Sequence, residues 1–328
     1  MGMINERHVA DVPHNPLTLS YLSGVVQSNY RRDCRVERVE SLPECGRAGI
    51  PNYRVLARSN GGELWFTLHL RQSQREARAE IGALRRARGL GGSVPELVFA
   101  VETEDNELGA PFLLLEFIPG RKLSTYPELL NTDLGRLVET LAILHLPQAG
   151  ASGPPSRAKI DGYSYSFQQA SRELKTAGGF DLMRYCDQFI AVYEARRHLL
   201  AGTGISLLHQ NLAPRQLLAG DDGAWRVLGW WGAGEGDYAR DVARFCAATL
   251  DALRPGDQDL YRSVLSAYSQ RFRDQTLDDR VRFYILELYI SAVARNVSPS
   301  VNERVVRHCQ EKLQYWLGTG SPAAEYAR

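Results

Sequence analysis

The polar residues that could carry out chemistry are concentrated in one stretch, Leu208–Val242. Its letters, LHQNLAPRQLLAGDDGAWRVLGWWGAGEGDYARDV, predict a loop, a short strand, a tight turn, a second strand, a glycine-rich loop and the start of a helix. A strand–turn–strand unit holds the two flanking loops side by side. His209 and Asn211 lie in the first loop, and Asp237 and Asp241 follow the second. The stretch therefore predicts a site built from imidazole, amide and carboxylate groups.

The composition indicates a globular protein without a strong global charge. The 328 residues are 44% hydrophobic and 23% charged, with a formal net charge of +1. Such a balance gives no field that would favour nucleic acid or an anionic membrane as a partner. Residues 1–18 have no signal-peptide pattern, and no apolar run reaches the ~18 residues of a membrane span. We therefore expect a cytoplasmic protein with no membrane or nucleic-acid partner.

The first third of the chain reads as strands and the remainder as helices. Asn60-Gly61 between two apolar runs predicts a hairpin. The strands are predicted at Arg35–Ser41, Tyr53–Ala57, Glu63–Leu70, Val94–Val101 and Pro111–Phe117, with helices at Leu17–Asn29 and Ser73–Arg88. Beyond them, residues 146–162 read as a loop, and helices are predicted at Leu134–His145, Ser166–Thr176, Met183–Ala201, Asp241–Leu253, Gln258–Phe272, Leu277–Val297 and Val301–Trp316.

The order of these elements and the letters of Leu208–Val242 resemble the aminoglycoside phosphotransferase / choline kinase-like family. That family writes the stretch roughly as H-G-D-L-H-P-x-N-h-L, a turn, h-h-D-W, and G-x-G-D-x-x-x-D-L-A. The matching positions are His209, Leu212, Pro214, Trp230, Gly234, Gly236, Asp237, Asp241 and Ala243. Tyr53–Val55, Pro95–Val101, Pro111–Glu116 and Leu141–His145 also resemble family segments.

The resemblance implies an α+β, two-lobed protein-kinase-like fold with a strand-rich N-lobe and a helical C-lobe. Residues 1–34 would form an N-terminal arm and helix, 35–118 the N-lobe and 119–328 the C-lobe. Glu116–Gly120 would be the hinge, where backbone groups receive the adenine ring in this family. Glu116 and Ile118 are accordingly the candidate hinge contacts to a nucleotide.

The same resemblance shows where the family's chemistry is missing. Asn211 stands at the catalytic aspartate, Gln216 at the metal-binding asparagine, Gly229 at the metal-binding aspartate and His69 at the strand lysine. An amide does not accept a proton near neutral pH, and glycine offers no side-chain ligand. Because magnesium prefers carboxylate and phosphate oxygens, no intact metal site is expected.

In the small lobe, only an arginine or a protonated histidine could replace the family's strand lysine as the cation that contacts phosphate. Residues 1–121 contain no lysine, so Arg71 is the cation nearest to His69. Either side chain could touch a phosphate, or His69 could be half-buried and hydrogen-bonded. Glu80, at the family's helix glutamate, would be a solvated helix residue or would meet His69 or Arg71.

These replacements favour a pseudokinase that needs no cofactor and binds a partner enzyme or a peptide. The resemblance suggests a bacterial natural-product pathway that modifies peptides. The expected ligand cleft contains His209, Asn211, Trp231, Asp237 and Asp241. The alternative is an atypical ATP- and magnesium-dependent phosphotransferase acting on a small molecule or peptide, with a relocated acid such as Glu235 or Asp237.

A row of arginines could provide a docking surface. Arg71, Arg75, Arg78 and Arg85 recur at helical spacing along the small-lobe helix and its entry. Such a row is either a solvated helix face or a surface that binds an acidic protein or peptide.

Overall fold

A computed structural model describes residues 16–47, 50–123, 134–174, 182–201, 203–249, 257–296 and 303–317. The chain has the predicted mixed α+β architecture, with a sheet-rich N-terminal region and a helical C-terminal region. It divides into two compact units, Met1–Glu128 with Arg215–Gly234, and Leu129–Pro214 with Glu235–Arg328. The N-terminal arm and the C-terminal tail lie outside the described residues, except for Pro16 onward and Leu317.

The first unit is built on a five-stranded antiparallel sheet of order β1-β2-β3-β5-β4. Its strands are β1 (Arg35–Arg47), β2 (Ile50–Ser59), β3 (Gly62–Leu70), β4 (Leu97–Val101) and β5 (Phe112–Glu116). Asn60 and Gly61 form the turn between β2 and β3, because Ser59 pairs with Gly62. The hairpin prediction is therefore confirmed.

Two helices flank the sheet in this unit. Helix α1 (Pro16–Asn29) contributes Leu22, Val25 and Val26 to the apolar core under β1–β3. Helix α2 (Gln74–Gly89) begins where the Ser73 hydroxyl accepts a hydrogen bond from the Glu76 N–H at 3.3 Å. The apolar face of α2 is buried, and it carries Glu80 inside with it.

A second, three-stranded sheet also belongs to the first unit. It contains β6 (Gly120–Lys122), β9 (Leu217–Gly220) and β10 (Trp225–Val227), in the order β10-β9-β6. Because β9 pairs with β6, residues 215–234 group with the strand-rich unit. The sequence-based division at residue 118 had assigned these loops to the C-lobe, since a three-residue Gly-Arg-Lys strand has no readable periodicity.

The second unit is mainly helical. Its helices are α3 (Leu134–Leu144), α4 (Arg157–Leu174), α5 (Leu182–Leu200), α6 (Ala239–Thr249), α7 (Asp257–Phe272), α8 (Leu277–Asn296) and α9 (Glu303–Leu317). Helix α8 is buried along most of its length and packs against α5, α6 and α9. The helix prediction at each of these places is confirmed, with α4 beginning nine residues early. The predicted ends at Thr176, Leu253, Val297 and Val301 lie outside the described residues.

A small sheet completes this unit and corrects one prediction. Strands β7 (Gln148–Ser152), β8 (Thr203–Leu208) and β11 (Gly234–Gly236) lie in the order β11-β8-β7. Residues 146–162 are therefore wrongly predicted as a loop, because they contain β7 and the start of α4. The small residues of β7 carry no hydrophobic alternation, and backbone pairing with β8 defines the strand.

Candidate functional site

His69 lies on β3 at the position where the family places its strand lysine. The side chain is buried, and its Nδ1 lies 3.1 Å from Oε1 of Glu80 on α2. Of the two alternatives for His69, the buried and hydrogen-bonded one is confirmed. Burial lowers the pKa of His69, and the nearby charges of Arg71 and Lys122 lower it further. The interaction with Glu80 raises this pKa, but by less than the other influences lower it. The imidazole is therefore neutral at pH 7.

Arg71 turns inward and forms an ion pair with Glu80. Its Nε donates to Glu80 Oε2 at 2.5 Å, its Nη1 donates to the Leu70 carbonyl at 2.5 Å, and its Nη2 lies 2.9 Å from His69 Nδ1. Nε and Nη1 thus have partners in the interior, whereas His69 Nδ1 either donates to Glu80 or accepts from Nη2, because a ring nitrogen cannot do both. Glu80 is fully buried, so the sequence alternative of a solvated Glu80 is wrong, and its contact with both His69 and Arg71 is confirmed.

The buried ion pair also explains the charge state of Glu80. Burial alone would raise the pKa of this carboxyl, but the Arg71 guanidinium and the His69 hydrogen bond hold it at about 2. Glu80 is therefore ionised at all ordinary pH values. The cluster of His69, Arg71 and Glu80 keeps the family's strand-cation-to-helix-glutamate pairing, with arginine in place of lysine.

The inward position of Arg71 corrects the predicted arginine row. Arg71 is only 4% exposed and does not lie on the surface of the helix. The remaining members, Arg75, Arg78 and Arg85, are exposed, and Arg78 Nε donates to Glu102 at 2.7 Å. The surface row is therefore shorter by its first residue, because Glu80 draws that guanidinium into the interior.

Lys122 is a residue near this cluster that the sequence reasoning overlooked. It lies on β6, is half-buried, and its charge helps to lower the pKa of His69. The available signal was that Lys122, the first lysine of the chain, lies two residues beyond the hinge segment Glu116–Gly120.

In the helical unit, Asp241 holds the loop that follows β8. Its Oδ2 accepts the His209 N–H at 2.5 Å and its Oδ1 accepts the Gln210 N–H at 2.8 Å. His145 Nε2 lies 3.3 Å from Oδ2. Burial would raise the pKa of Asp241, but the hydrogen bond and charge of His145 and the His209 contacts lower it. The expected hydrogen bonds from the His209 loop to Asp241 are confirmed.

This loop has an unusual backbone conformation next to the catalytic position. Gln210 has φ +58°, a left-handed conformation that side chains other than glycine adopt at a cost. Asp241 offsets that cost by accepting the Gln210 N–H. The next residue, Asn211, is half-buried, and its N–H donates to His209 Nδ1 at 3.3 Å. The loop is thus kept in shape around an amide in place of a carboxylate.

Asp237 is buried and held by an arginine. It is 1% exposed, and its Oδ1 accepts hydrogen bonds from Arg280 and from the Ala239 N–H at 3.0 Å. Arg280, buried on α8, also binds Asp274. A relocated metal ligand at Glu235 or Asp237 stays a prediction, and of these two acids only Glu235 is exposed. Sequence reasoning missed Arg280, although an arginine among the apolar residues of α8 was a visible signal.

In the first unit, the Gln216 side chain occupies space that a side chain at position 229 would need. Gly229 has φ +78°, and a Cβ placed on it would lie 2.4 Å from Gln216 Oε1. The Leu228 N–H donates to the Gln216 carbonyl at 2.8 Å, which fixes the two segments together. Trp230 is buried and donates from Nε1 to the Val227 carbonyl at 2.9 Å, so its predicted core role is confirmed. Trp231 is half-buried.

A profile of the phosphotransferase enzyme family matches residues 47–284, more than half of the chain. The chain belongs to this phosphotransferase family. No curated protein matches the sequence. The fold is also similar to those of solved choline kinases and aminoglycoside phosphotransferases. At their low sequence identity to this chain, the likeness supports a shared fold and nothing more specific.

Three solved structures illustrate the likeness. A choline kinase from Streptococcus pneumoniae is 14% identical, with 91% of this chain and 98% of that chain covered and a TM-score of 0.58. An aminoglycoside phosphotransferase from Alicyclobacillus acidocaldarius is 12% identical, with coverages of 93% and 95% and a TM-score of 0.59. An aminoglycoside 2′-phosphotransferase in a GDP complex is 16% identical, with coverages of 91% and 97% and a TM-score of 0.58.

The predicted hinge segment begins with two residues that donate backbone hydrogen bonds to neighbouring segments. The Glu116 N–H donates to the Glu96 carbonyl at 2.9 Å, and the Phe117 N–H donates to the Trp65 carbonyl at 3.1 Å. Glu116 is exposed and Ile118 is half-buried. Their contact with a nucleotide stays a prediction. None of the described helices is long and apolar enough to cross a membrane.

Restoring the family's aspartate at position 229 should be costly unless Gln216 is shortened. We expect Gly229→Asp to lower the free energy of unfolding by about 1–2 kcal/mol through its positive φ, plus a further loss from the contact with Gln216. Adding Gln216→Asn should recover that further loss, giving a coupling of about 0.5 kcal/mol between the two sites, because the contacting atom is the far end of a flexible side chain. Urea denaturation of the two single variants and the double variant measures the coupling.

The matched control is Gly223→Asp. Gly223 has φ +75°, nearly the same as Gly229, but nothing lies within 4 Å of a Cβ placed there. It should therefore show the backbone cost alone. Equal costs at positions 223 and 229, or additive effects of Gln216→Asn and Gly229→Asp, would contradict the role assigned to Gln216.

Proposed function

We propose that this member of the family is a pseudokinase that has lost phosphotransfer. It acts as a binding or activating subunit for a partner enzyme or a peptide, in a bacterial natural-product pathway that modifies peptides. The observation that carries the proposal is the mutual fit of Gly229 and Gln216. The Gln216 amide oxygen lies 2.4 Å from where a Cβ at the family's metal position would stand, so this side chain uses space that a metal ligand there would need. That packing supports the loss of the metal site.

The residues at the magnesium positions do not fit the ion. Gly229 has no side-chain donor, and Gln216 offers only an uncharged amide oxygen, whereas magnesium requires carboxylate and phosphate oxygens in near-octahedral order. No group of three or more His, Cys, Asp or Glu suited to a metal occurs among the described residues. Asn211 adds no base at the catalytic position, since an amide stays uncharged and unprotonated near neutral pH.

Lys122 favours a second candidate function, an atypical ATP-dependent phosphotransferase acting on a small molecule or a peptide. Its charge acts on His69, the residue at the family's strand-lysine position. A lysine that reaches this position from β6 would supply the phosphate-binding cation that β3 lacks. Under this alternative, Lys122→Gln should abolish ATP turnover.

The measurement that separates the two candidates is the release or transfer of γ-phosphate from magnesium–ATP. For the pseudokinase we expect no turnover above that of a heat-denatured sample and no change in Asn211→Ala. A variant carrying His69→Lys, Asn211→Asp, Gln216→Asn and Gly229→Asp should gain nucleotide binding in a thermal-shift assay, because it restores a cation, a base and metal ligands together. Saturable turnover that Asn211→Ala removes would overturn the proposal.

The partner surface in this proposal includes Arg75, Arg78 and Arg85, three exposed arginines of α2. Charge complementarity across a rim of this kind speeds association with an acidic protein or peptide and makes it depend on salt. A charge-reversing Arg75→Glu, Arg85→Glu variant should lose a co-purifying partner that the wild-type chain retains from the native host.

A further inference from the structure

The helical unit contains a cavity of about 380 Å³, and Asp237 of the predicted ligand cleft lies in its wall. Its walls come from the Gly153–Pro155 loop, Lys159 of α4, Ile205 of β8, the segment that includes Asp237 and Arg240, and Tyr284 of α8. This volume falls in the range of small-molecule sites. The lining combines the buried Asp237 and Tyr284 with the partly exposed Arg240 and Lys159 and the exposed carboxylate of Glu235, so the cavity has the character of a polar binding site.

Asp237 contributes a buried carboxylate acceptor. Its Oδ1 is engaged by Arg280 and the Ala239 N–H, whereas its Oδ2 is buried and no donor meets the distance and angle of a hydrogen bond to it among the described residues. Burial, the Asp237 charge and a side-chain interaction with the Asp237 carboxyl raise the pKa of Tyr284, so the Tyr284 hydroxyl approaches this carboxyl. A carboxylate oxygen has two lone pairs, so Oδ2 can accept from a ligand beside Tyr284. A buried carboxylate oxygen in this state favours a ligand that donates an N–H or O–H.

Arg240 contributes donors at the same cavity. Its side chain is 31% exposed, and its one ion pair among the described residues is a long contact of 3.5 Å from Nη2 to Glu287 Oε2. The guanidinium lies 5.5 Å from the ring centre of Tyr284. A guanidinium has five N–H donors, so this contact leaves most of them for a ligand. Arg240 therefore favours a planar anion such as a carboxylate.

Lys159 and Glu287 set the charge balance around these groups. Lys159 Nζ binds Glu287 Oε1, and the Tyr163 hydroxyl donates to the same oxygen at 3.3 Å. Glu287 is thus already neutralised from the side of α4, and it repels an incoming anion less than an isolated carboxylate would. The Lys159 side chain remains 40% exposed, so its charge also reaches the cavity.

We propose that this cavity binds an amino-acid-like ligand, whose carboxylate contacts Arg240 and Lys159 and whose ammonium or hydroxyl group donates to Asp237 Oδ2. The ligand is either a free amino acid or the C-terminal residue of a peptide, since both present these groups. Pro154, Pro155 and Ile205 offer an apolar wall for a small side chain. The inference goes beyond the proposed function, because binding here requires neither nucleotide nor phosphotransfer.

The test uses the full chain without nucleotide and four defined probes in isothermal titration calorimetry. L-serine is a free amino acid, Gly-Ser carries the same residue at a peptide C-terminus, Gly-Ser amide lacks the carboxylate, and propionate lacks the donor. We expect L-serine or Gly-Ser to bind with a Kd of about 1 mM or tighter, and Gly-Ser amide and propionate to bind at least about tenfold more weakly. The stronger of the first two probes identifies the source of the ligand.

Arg240→Gln should weaken the binding of the better probe by about tenfold or more. The matched control is Arg271→Gln, in which an exposed arginine of the same unit loses its ion pair with Glu139 and binding should be unchanged. If Arg240→Gln does not fold by circular dichroism, Lys159→Gln takes its place. The proposal is overturned if L-serine and Gly-Ser both bind more weakly than about 1 mM, or if binding survives the substitution unchanged. ATP turnover, measured separately, decides the proposed function independently of this result.

Discussion

Glu80→Gln is expected to lower the free energy of unfolding by about 3–5 kcal/mol, because it leaves the buried Arg71 without its carboxylate. Arg71 is 4% exposed, and its Nε has Glu80 as its partner at 2.5 Å. The neutral amide keeps the shape of the glutamate but cannot balance the guanidinium. Removing one partner of a buried ion pair lowers the free energy of unfolding strongly, because an uncompensated charge stays buried. Replacing both partners with apolar residues costs much less.

Chemical denaturation of the Glu80→Gln variant measures this effect. The control is Glu102→Gln, which breaks the ion pair with Arg78, whose side chains are 40% and 60% exposed. An exposed pair of this kind contributes about 0–1 kcal/mol. A cost at position 80 no larger than that at position 102 would show that Arg71 finds another partner and that the cluster is not held by Glu80.

The same cluster predicts a dependence of stability on pH. The pKa of Glu80 is held at about 2 in the folded protein, below its usual 4.5. Its contribution is therefore fully present above pH 4.5 and is lost as the pH falls toward 2. The pKa of His69 is also lowered, so its contribution too is lost on acidification, beginning below its usual 6.5. Glu80→Gln should flatten the wild-type loss of stability between pH 4.5 and 2.

The second large effect is expected for Asp241→Asn, at about 2–4 kcal/mol. The Asp241 carboxylate accepts two backbone N–H groups with its two oxygens, and His145 shares one of them. An asparagine has one acceptor oxygen, so its NH₂ group must face an N–H donor inside the protein. The left-handed Gln210, at φ +58°, would then lose the hydrogen bond that supports its conformation.

Hydrogen exchange resolves this prediction by residue. The His209 and Gln210 amides should lose protection in Asp241→Asn, while amides in the middle of α8 should keep theirs, apart from the global loss of stability. Asp161→Asn is the matched control, because Asp161 is 58% exposed and pairs with Arg157 across one helical turn. Unchanged protection at His209 and Gln210 would show that another group holds the loop.

Much of the fold was readable from local patterns. The Asn60-Gly61 turn sets the register of β2 and β3. The alternation of apolar residues in Glu63–Leu70 places His69 on the strand face opposite Phe66, Leu68 and Leu70, and its burial follows from its contacts with Arg71 and Glu80. Apolar residues at helical spacing likewise predict α2 and α8, because a helix that packs against the core needs an apolar face. Strands β6, β7 and β11 carried no such signal. Their residues are small or charged, and only pairing with β9 or β8 makes them strands.

In the candidate site, the sequence gives the residue types, and the tertiary structure gives their contacts. The residue types at positions 69, 211, 216 and 229 were fixed by the sequence, and with them the absence of a lysine, a base and two metal ligands. What each side chain does was decided by its partners. Arg71 was predicted on a surface row and lies inside, because a buried Glu80 stabilises the guanidinium only if the two are in contact. Asp237 was a candidate ligand and is held by Arg280, which lies 43 residues away in the chain.

The sequence by itself therefore determined the fold family, the order of elements and which chemical groups the protein lacks. It determined them because hydrophobic periodicity and turn residues act over a few neighbouring positions. The tertiary structure alone decided that Gln216 fills the place beside Gly229, that Lys122 lies near His69, and that Asp237 keeps a buried oxygen to which no donor among the described residues has hydrogen-bond geometry. These facts depend on contacts between residues far apart in the chain, and no local pattern records which distant side chain a polar group will meet.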